Sequence, residues 1–422
     1  MSADRFDCLA AWAARTRFGC RENSGPFLRD MLTIRRPWKP VAPNPVTVCV
    51  SIARARFARF AIRHLSSFLF KRTVWRNRLI FYDRCALALC PEPILPSAVR
   101  RSNSAASTTT SDRSAEMQSV RIHAFGGPEV LRLETEPTPE PEPEEILVRV
   151  HAASVNPVDY KIRNGGYDAQ DRLPLTLGRD FSGVVERCGA KVDAFKPGDA
   201  VYALLTPDRG GYAEFVAVKA RDCAAKPKSL DHVHAAAVPL AALTAWQGIF
   251  DNASLSAGQR ILIHGAAGGV GHFAVQFAKA NGATVYATCS GSDIDFVRSL
   301  GAEVAIDYKN QRFEDKVRDV DVVYDLVAGD TQERSWSVLK EGGIIVSTLQ
   351  QPSKEKAAER NARGAHYMTK PNGGQLAEIG QLIDAGAVRV EVGKVFPLRQ
   401  AADAERALEE GHVRGKLVLK VA

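Results

Sequence analysis

From Met117 onward the chain is a series of short apolar stretches separated by turn residues, and the period of those stretches changes once along the way. "ILVRVHAASV", "FSGVVERCG", "DAVYALL" and "AEFVAVKA" are rich in β-branched residues and bounded by Gly, Pro or Asp, so they predict the strands of a mostly β unit. "ETEPTPEPEPEE" interleaves charge with proline and reads as a stiff solvated loop. Past Pro239 strands and helices alternate. "RILIHGA", "TVYATCS", "VAIDY", "VDVVYDLVAG" and "IIVSTL" predict strands, and "VGHFAVQFAKANG", "SDIDFVRSLG" and "TQERSWSVLKEGG" the helices between them. Such alternation predicts a parallel sheet covered on both faces. After Pro371 come a helix over "GQLAEIGQLIDAG", the run "VEVGKVFPL", a helix over "AADAERALEEG" and a last strand, "GKLVLKVA". This tail is too short to stand alone and is expected to complete the first β unit. The expected division is therefore a β unit over 117–238, a doubly wound α/β domain over 239–371, and a return to the β unit over 372–422.

Residues 1–116 follow neither period. They end in the low-complexity run "RRSNSAASTTTSDRSAE", and 18 of their 20 basic residues are Arg. Three readings stand: an amphipathic or organelle-import segment centred on Ser51–Phe81, a disordered extension, or a translated upstream region with Met117 as the natural start. Charge follows the same boundary. The chain carries a net +8, but residues 1–116 hold 20 Lys and Arg against 8 Asp and Glu, which leaves 36 against 40 for the rest. The acidic remainder gives no reason to expect a nucleic-acid partner. No run of eighteen uncharged apolar residues is present, so no stable membrane insertion is expected. The eight cysteines are scattered without a CxxC spacing, which points to reduced thiols in a cytoplasmic setting; a mitochondrial location is the alternative if the basic extension is an import signal.

"HGAAGGVGHFAVQFAKANGA" places Gly265, Gly268, Gly269 and Gly271 between a strand and the mouth of a helix. Backbone N–H groups at a helix start, with the helix dipole behind them, bind an anionic pyrophosphate. Gly268 and Gly269 leave room for phosphate oxygens, with Ala266 and Val270 beside them, and Gly271 lets the helix approach the strand. Ala266 stands where a strict GxGxxG has its first glycine, but the strand before, helix after and second strand beyond supply the context of a dinucleotide site. That second strand ends in Cys289 and Ser290 where an NAD-preferring enzyme carries an acid. The missing carboxylate and the added hydroxyl favour NADPH, with Tyr308 and Lys309 as further contacts for its ribose phosphate; Asp293 and Asp295 nearby weigh the other way.

"VNPVDYKIRNGGY", "LGRDFSGVV", "PLAALTAWQGI", "HGAAGGVGHFAVQFAK" and "HVRGKLVL", in this order, make residues 117–422 resemble the zinc-independent quinone oxidoreductases of the medium-chain dehydrogenase/reductase superfamily. The resemblance implies a GroES-like β-barrel substrate domain with an inserted Rossmann domain, a cleft between them, NADPH-linked hydride transfer to quinones or α,β-unsaturated carbonyls, and a homodimer. Asn156 and Arg179 stand where the zinc branch of the superfamily has its first cysteine and its histidine, so no metal is expected. By the same resemblance Asn156 and Asp159 lie at the nicotinamide end. Lys161 is placed to stabilise an enolate-like oxygen, and Tyr160 and Tyr167 to donate a proton or stack on a flat acceptor. Thr244 is a nicotinamide contact, and Arg414 and Lys416 reach the cofactor phosphates or solvate the terminus. A non-catalytic NADPH-binding sensor or interaction module is the alternative from another class.

Overall fold

The computed structural model describes residues 116–167, 170–411 and 413–422. The expectations for the basic extension, Glu116 apart, lie outside the described residues.

β1 (Glu116–Ile122) pairs antiparallel with β2 (Arg132–Pro137) and with the short β4 (Leu175–Thr176). The Pro/Glu stretch expected as loop is therefore divided: Glu134 to Pro137 belongs to β2, registered against Ser119 to Glu116. Proline is tolerated there because β2 is an edge strand and Pro137 is its last residue. β3 (Glu145–Val155) organises the second sheet. It lies antiparallel to β5 (Asp180–Cys188), β7 (Phe215–Lys219) and the last strand, β16 (Lys416–Lys420). β6 (Ala200–Leu204) and β8 (Cys223–Ala225) extend it beyond β5, and β15 (Val392–Pro397) runs parallel to β16 at the other edge. All four runs read as strands in this unit are strands, and β15 and β16 of the tail pair into the same sheet. Its interior is filled by Val148, Val150, Phe181, Val201 and Val218, all buried, in the GroES-like arrangement.

The parallel sheet comprises β9 (Arg260–Ile263), β10 (Thr284–Cys289), β11 (Val304–Asp307), β12 (Val320–Asp325), β13 (Leu339–Ser347) and β14 (Arg363–His366). Its order is β11-β10-β9-β12-β13-β14, the doubly wound order of a Rossmann domain, with the direction of winding reversing between β9 and β12. Trp246, Ile261, Ile263, Phe273 and Phe277 fill one face, and Leu262, Phe313, Val323, Trp336 and Ile345 the other. Each fully buried large apolar side chain contributes roughly 1.5–3 kcal/mol, and the sheet carries them on both sides.

Two further segments differ from expectation. The helix predicted over "TQERSWSVLKEGG" spans only Asp330–Ser335, and β13 begins at Leu339. Trp336, Val338 and Leu339 are buried against Val320 and Val323, and that burial outweighs the helical propensity of "VLKEG". β14 and the Lys354–Glu359 helix before it were not expected, because an edge strand written "RGAH" has no buried face to give it a period. The Gly373–Asp384 helix places Leu376, Ile379 and Ile383 in the parallel-sheet core while Tyr202 of β6 donates to Leu376 O at 2.6 Å, so it ties sheet to barrel.

Candidate active site

A cavity of about 760 Å³ lies where the carboxyl ends of β9 and β12 face the β unit. That is the crevice where the winding reverses, the usual ligand position in such sheets.

The glycine turn forms one wall. β9 ends at Ile263, and the next residue, His264, is fully buried with Nδ1 at 3.0 Å from Thr288 Oγ1 and Nε2 at 2.9 Å from Ser335 Oγ. Gly265 turns the chain at φ +70°, in the left-handed region that favours glycine. At Gly271 a Cβ would lie 2.2 Å from Gly265 O and 2.7 Å from Ala266 Cα, so the helix of Gly271–Ala280 packs on the turn as closely as its backbone allows. Gly269 has a second reason to lack a side chain: its Cβ would lie 2.8 Å from Lys416 Cδ. The chain's end closes over the turn, because Gly415 N donates to Ala267 O at 2.9 Å. His272 fastens it from below. Burial pushes this imidazole down to about 4, so it is neutral at physiological pH; Nδ1–H donates to Gly268 O at 3.1 Å and Nε2 accepts from Glu391 N at 3.4 Å.

The facing wall begins at Asn156, which stands before the Pro157–Arg163 helix and is 2% exposed. Its side chain is committed to the protein. Nδ2 donates to Asp180 Oδ1 at 3.1 Å, and Oδ1 accepts from the Lys416 ammonium, which also donates to Val155 O at 3.1 Å. Asp180 accepts in addition from Ser154 Oγ at 2.7 Å and from Leu240 N at 3.1 Å. Lys416 is buried, and burial lowers its pKa while Asp180 and Asp159 oppose that. A lysine ammonium has three N–H donors, and two of them have acceptors among the described residues; Lys416 lines the cavity.

The other residues singled out by sequence fall into two groups. Lys161, Tyr167, Thr244, Gly265, Gly268, Gly269, Val270, Gly271 and Lys416 line the cavity with Asn156. Lys161 is half-buried with no side-chain partner among the described residues, and Tyr167 is exposed at φ +62°. Thr244 Oγ1 donates to Leu240 O at 2.6 Å and lies 2.8 Å from Thr369 Oγ1. Ala266, Asp159, Tyr160, Ser290, Tyr308 and Arg414 do not line it. Asp159 is fully buried behind the helix start, accepting from Asn156 N at 2.8 Å and Tyr212 OH at 3.2 Å. Burial, helped by the Asp180 charge, pushes its carboxyl up to about 7. Ser290 sits at the end of β10 with Oγ 2.5 Å from Asp293 Oδ2, and Asp293 is neutralised by Arg414 at 2.6 Å, whose guanidinium also stacks on Phe296. Tyr308 is 54% exposed, with the Lys309 ammonium over its ring.

Four residues escaped sequence reasoning: His272, Asp180, Arg172 and Arg179 as an arginine rather than a missing histidine. "GRDFSG" did carry a signal, since an Arg–Asp pair opening a buried strand needs partners for both charges.

The sequence matches known proteins over most of the described length. Residues 142–228 match the alcohol dehydrogenase GroES-like domain, and residues 300–419 match the family described as zinc-binding dehydrogenase. The mitochondrial NAD(P)H oxidoreductase RTN4IP1 of Homo sapiens is 37% identical over 363 residues, which covers 74% of this chain and 91% of that protein. The chloroplastic NADPH-dependent alkenal/one oxidoreductase of Arabidopsis thaliana is 35% identical over 371 residues, covering 84% and 93%. Among solved structures, the quinone oxidoreductase from Coxiella burnetii matches with a TM-score of 0.70 at 40% identity, over 73% of this chain and all of that one.

The zinc in one family description calls for a test of the donors present. A catalytic zinc takes thiolate, imidazole and carboxylate ligands around an open position. Here the cavity offers a carboxamide already bonded at both ends, two guanidinium and three ammonium groups, and Asp180 behind it is spent on three donors. Among the described residues no group of three or more His, Cys, Asp or Glu is placed to hold a metal ion. This donor set does not fit zinc. The fold, the cleft and the kinship together assign the chain: it belongs to the quinone oxidoreductase-like branch of the medium-chain dehydrogenase/reductase superfamily and is an oxidoreductase.

Proposed function

We propose that this protein is a zinc-independent, NADPH-dependent reductase of quinones or α,β-unsaturated carbonyl compounds. One observation carries the proposal: a glycine turn at the winding reversal faces a largely apolar cavity whose polar groups are hydrogen-bond donors and cations rather than zinc ligands. The names of the relatives support the cofactor and the acceptor class.

NADPH, when bound, supplies a hydride. The chain's own part is to bind, orient and stabilise. Gly268 and Gly269 leave the N-terminal amides of the Gly271–Ala280 helix open to a pyrophosphate. Ser290 and Arg414 lie at the end of β10, where a ribose 2′-phosphate belongs, and Arg414 cancels the repulsion Asp293 would otherwise exert. Thr244 and Asn156 shape the nicotinamide end. Asn156 is assigned there a positioning role: it holds the Lys416 ammonium. Lys161 and the third N–H of Lys416 stabilise negative charge that develops on the acceptor oxygen. Asp159 supports the helix that carries Lys161 rather than touching substrate.

The test is oxidation of NADPH by the full chain against quinones, enones and simple aldehydes, with and without a chelator. Turnover of quinones or enones at a rate indifferent to chelation is expected. Turnover of aldehydes alone, or loss of rate on chelation, refutes the proposal, and tight NADPH binding with no turnover of any acceptor favours a sensing module instead. The mitochondrial relatives favour a mitochondrial site of action, checked by imaging a tagged full-length chain.

A further inference from the structure

The cavity is charged in one sense only. Lys161, Arg172, Arg179, Lys370 and Lys416 line it, and no Asp or Glu does so among the described residues. None of the five is ion-paired with a described carboxylate. Lys161 and Lys416 have a use in the proposed reduction, and Lys370 is exposed. Arg172 and Arg179 have none.

Among the described residues both arginines are held by backbone carbonyls. Arg179 donates to Leu205 O from Nε at 3.2 Å and from Nη2 at 2.7 Å. Arg172 donates from Nη1 to Pro207 O at 2.7 Å and from Nη2 to Tyr167 O at 3.4 Å. A guanidinium carries five N–H donors in a rigid fork, so each keeps donors in reserve, and carbonyl oxygens fix the planes without neutralising the charge. Burial disfavours the charged form of Arg179; the Arg172 charge adds to that effect, and Asp159, Asp180 and Asp208 oppose it. None of those three carboxylates lines the cavity. The cofactor's own anions have separate places, the glycine turn and the Ser290–Arg414 corner. The same cavity is lined by apolar Val155, Pro157, Val158, Ile162 and Leu240.

We propose that Arg172 and Arg179 form a carboxylate clamp, and that the acceptor reduced here is an α,β-unsaturated ketone or quinone bearing a carboxylate. The clamp deepens the reductase reading and, as a substrate assignment, rests on it. In the step, hydride adds to the β-carbon, the C=C electron pair moves toward the carbonyl oxygen, and a solvent proton is taken up at the α-carbon. NADPH is oxidised to NADP⁺, the alkene is reduced, and the carboxylate is unchanged.

The experiment pairs (E)-4-oxopent-2-enoate with neutral (E)-pent-3-en-2-one as acceptors for the full chain with NADPH. A KM for the acid about tenfold or more below that for the neutral enone is expected. Arg172→Met and Arg179→Met should each raise the acid's KM by about tenfold while kcat/KM for the neutral enone changes less than about threefold, and Arg179→Lys should restore part of the loss. Equal KM values in the wild-type chain, or an equal loss for both acceptors in the variants with unchanged thermal melting, overturns the clamp. A binding measurement separates the clamp from the reductase reading. Calorimetric titration with 4-oxopentanoate, which cannot be reduced at a C=C bond, is run on wild type and on the Arg172→Met/Arg179→Met chain, both saturated with NADP⁺. Weakening of about tenfold in the variant with NADP⁺ affinity retained supports the clamp even if no enone is turned over, and equal binding overturns it.

Discussion

Gly271 and Gly268 stand three residues apart in one turn, yet they lack side chains for different reasons, and alanine at each should separate folding from cofactor capture. A Cβ on Gly271 would come 2.2 Å from Gly265 O and 2.7 Å from Ala266 Cα, both backbone atoms that no rotamer change can move aside. Relief requires the strand-to-helix turn to open by about 1 Å, and overpacking of this kind costs about 1–3 kcal/mol. For a domain of this size that lowers the melting temperature by roughly 2–4 °C per kcal/mol. At Gly268 the nearest contact of a Cβ is 3.4 Å, so Gly268→Ala fits the unliganded protein. Its methyl instead occupies the approach of the phosphate, and losing one charge-assisted hydrogen bond weakens binding by roughly tenfold or more. Thermal melting and NADPH titration by fluorescence of the full chain read the two effects. Gly271→Ala should melt lower, and Gly268→Ala should melt as wild type but bind NADPH more weakly. A Gly271→Ala protein as stable as wild type, or a Gly268→Ala protein with unchanged NADPH affinity, refutes the reasoning.

Two more outcomes follow from charge. Arg414→Ala removes the partner of Asp293 and leaves a bare carboxylate beside Ser290, so NADPH should bind roughly ten- to a hundredfold more weakly while NADH is nearly unaffected. Equal weakening of both cofactors in the titration would place Arg414 elsewhere in function. Burial pushes Asp159 up to about 7 and Glu405 up to about 8, both well above their unfolded values. A carboxyl whose folded pKa is raised gives stability that is complete below its unfolded pKa and lost as pH rises through the folded one. The stability of wild type relative to Asp159→Asn should therefore fall between about pH 4 and pH 7, by on the order of a few kcal/mol, and a constant difference between the two would contradict the placement of this acid.

What the sequence made legible and what it hid divide along physical lines. The parallel sheet was readable because strands buried on both faces and helices with one apolar stripe carry unmistakable periods, as "RILI" and "HFAVQFAKA" do. β14 was not, since its stability lies in hydrogen bonds to β13 and not in its side chains. The glycine turn was legible as a close bend between strand and helix, but not the reason for Gly269, which depends on Lys416, nearly 150 positions later. Asn156, singled out from the sequence, does line the cavity, but the sequence invites the thought that its amide is free, whereas Asp180 and Lys416 occupy it from two other strands. Contacts between residues remote in sequence decide which polar groups remain available to a ligand, and no local pattern reports them.

The last strand has a consequence for synthesis. β16 is the antiparallel neighbour that β3 needs along Ala152–Val155, the residue before it supplies the amide bonded to Ala267 O, and its first residue supplies the ammonium beside Asn156. All three arrive on the ribosome after every other described element has been made. A nascent chain can form its parallel sheet early, but these contacts join the two sides of the cavity only once residues 415–420 have emerged.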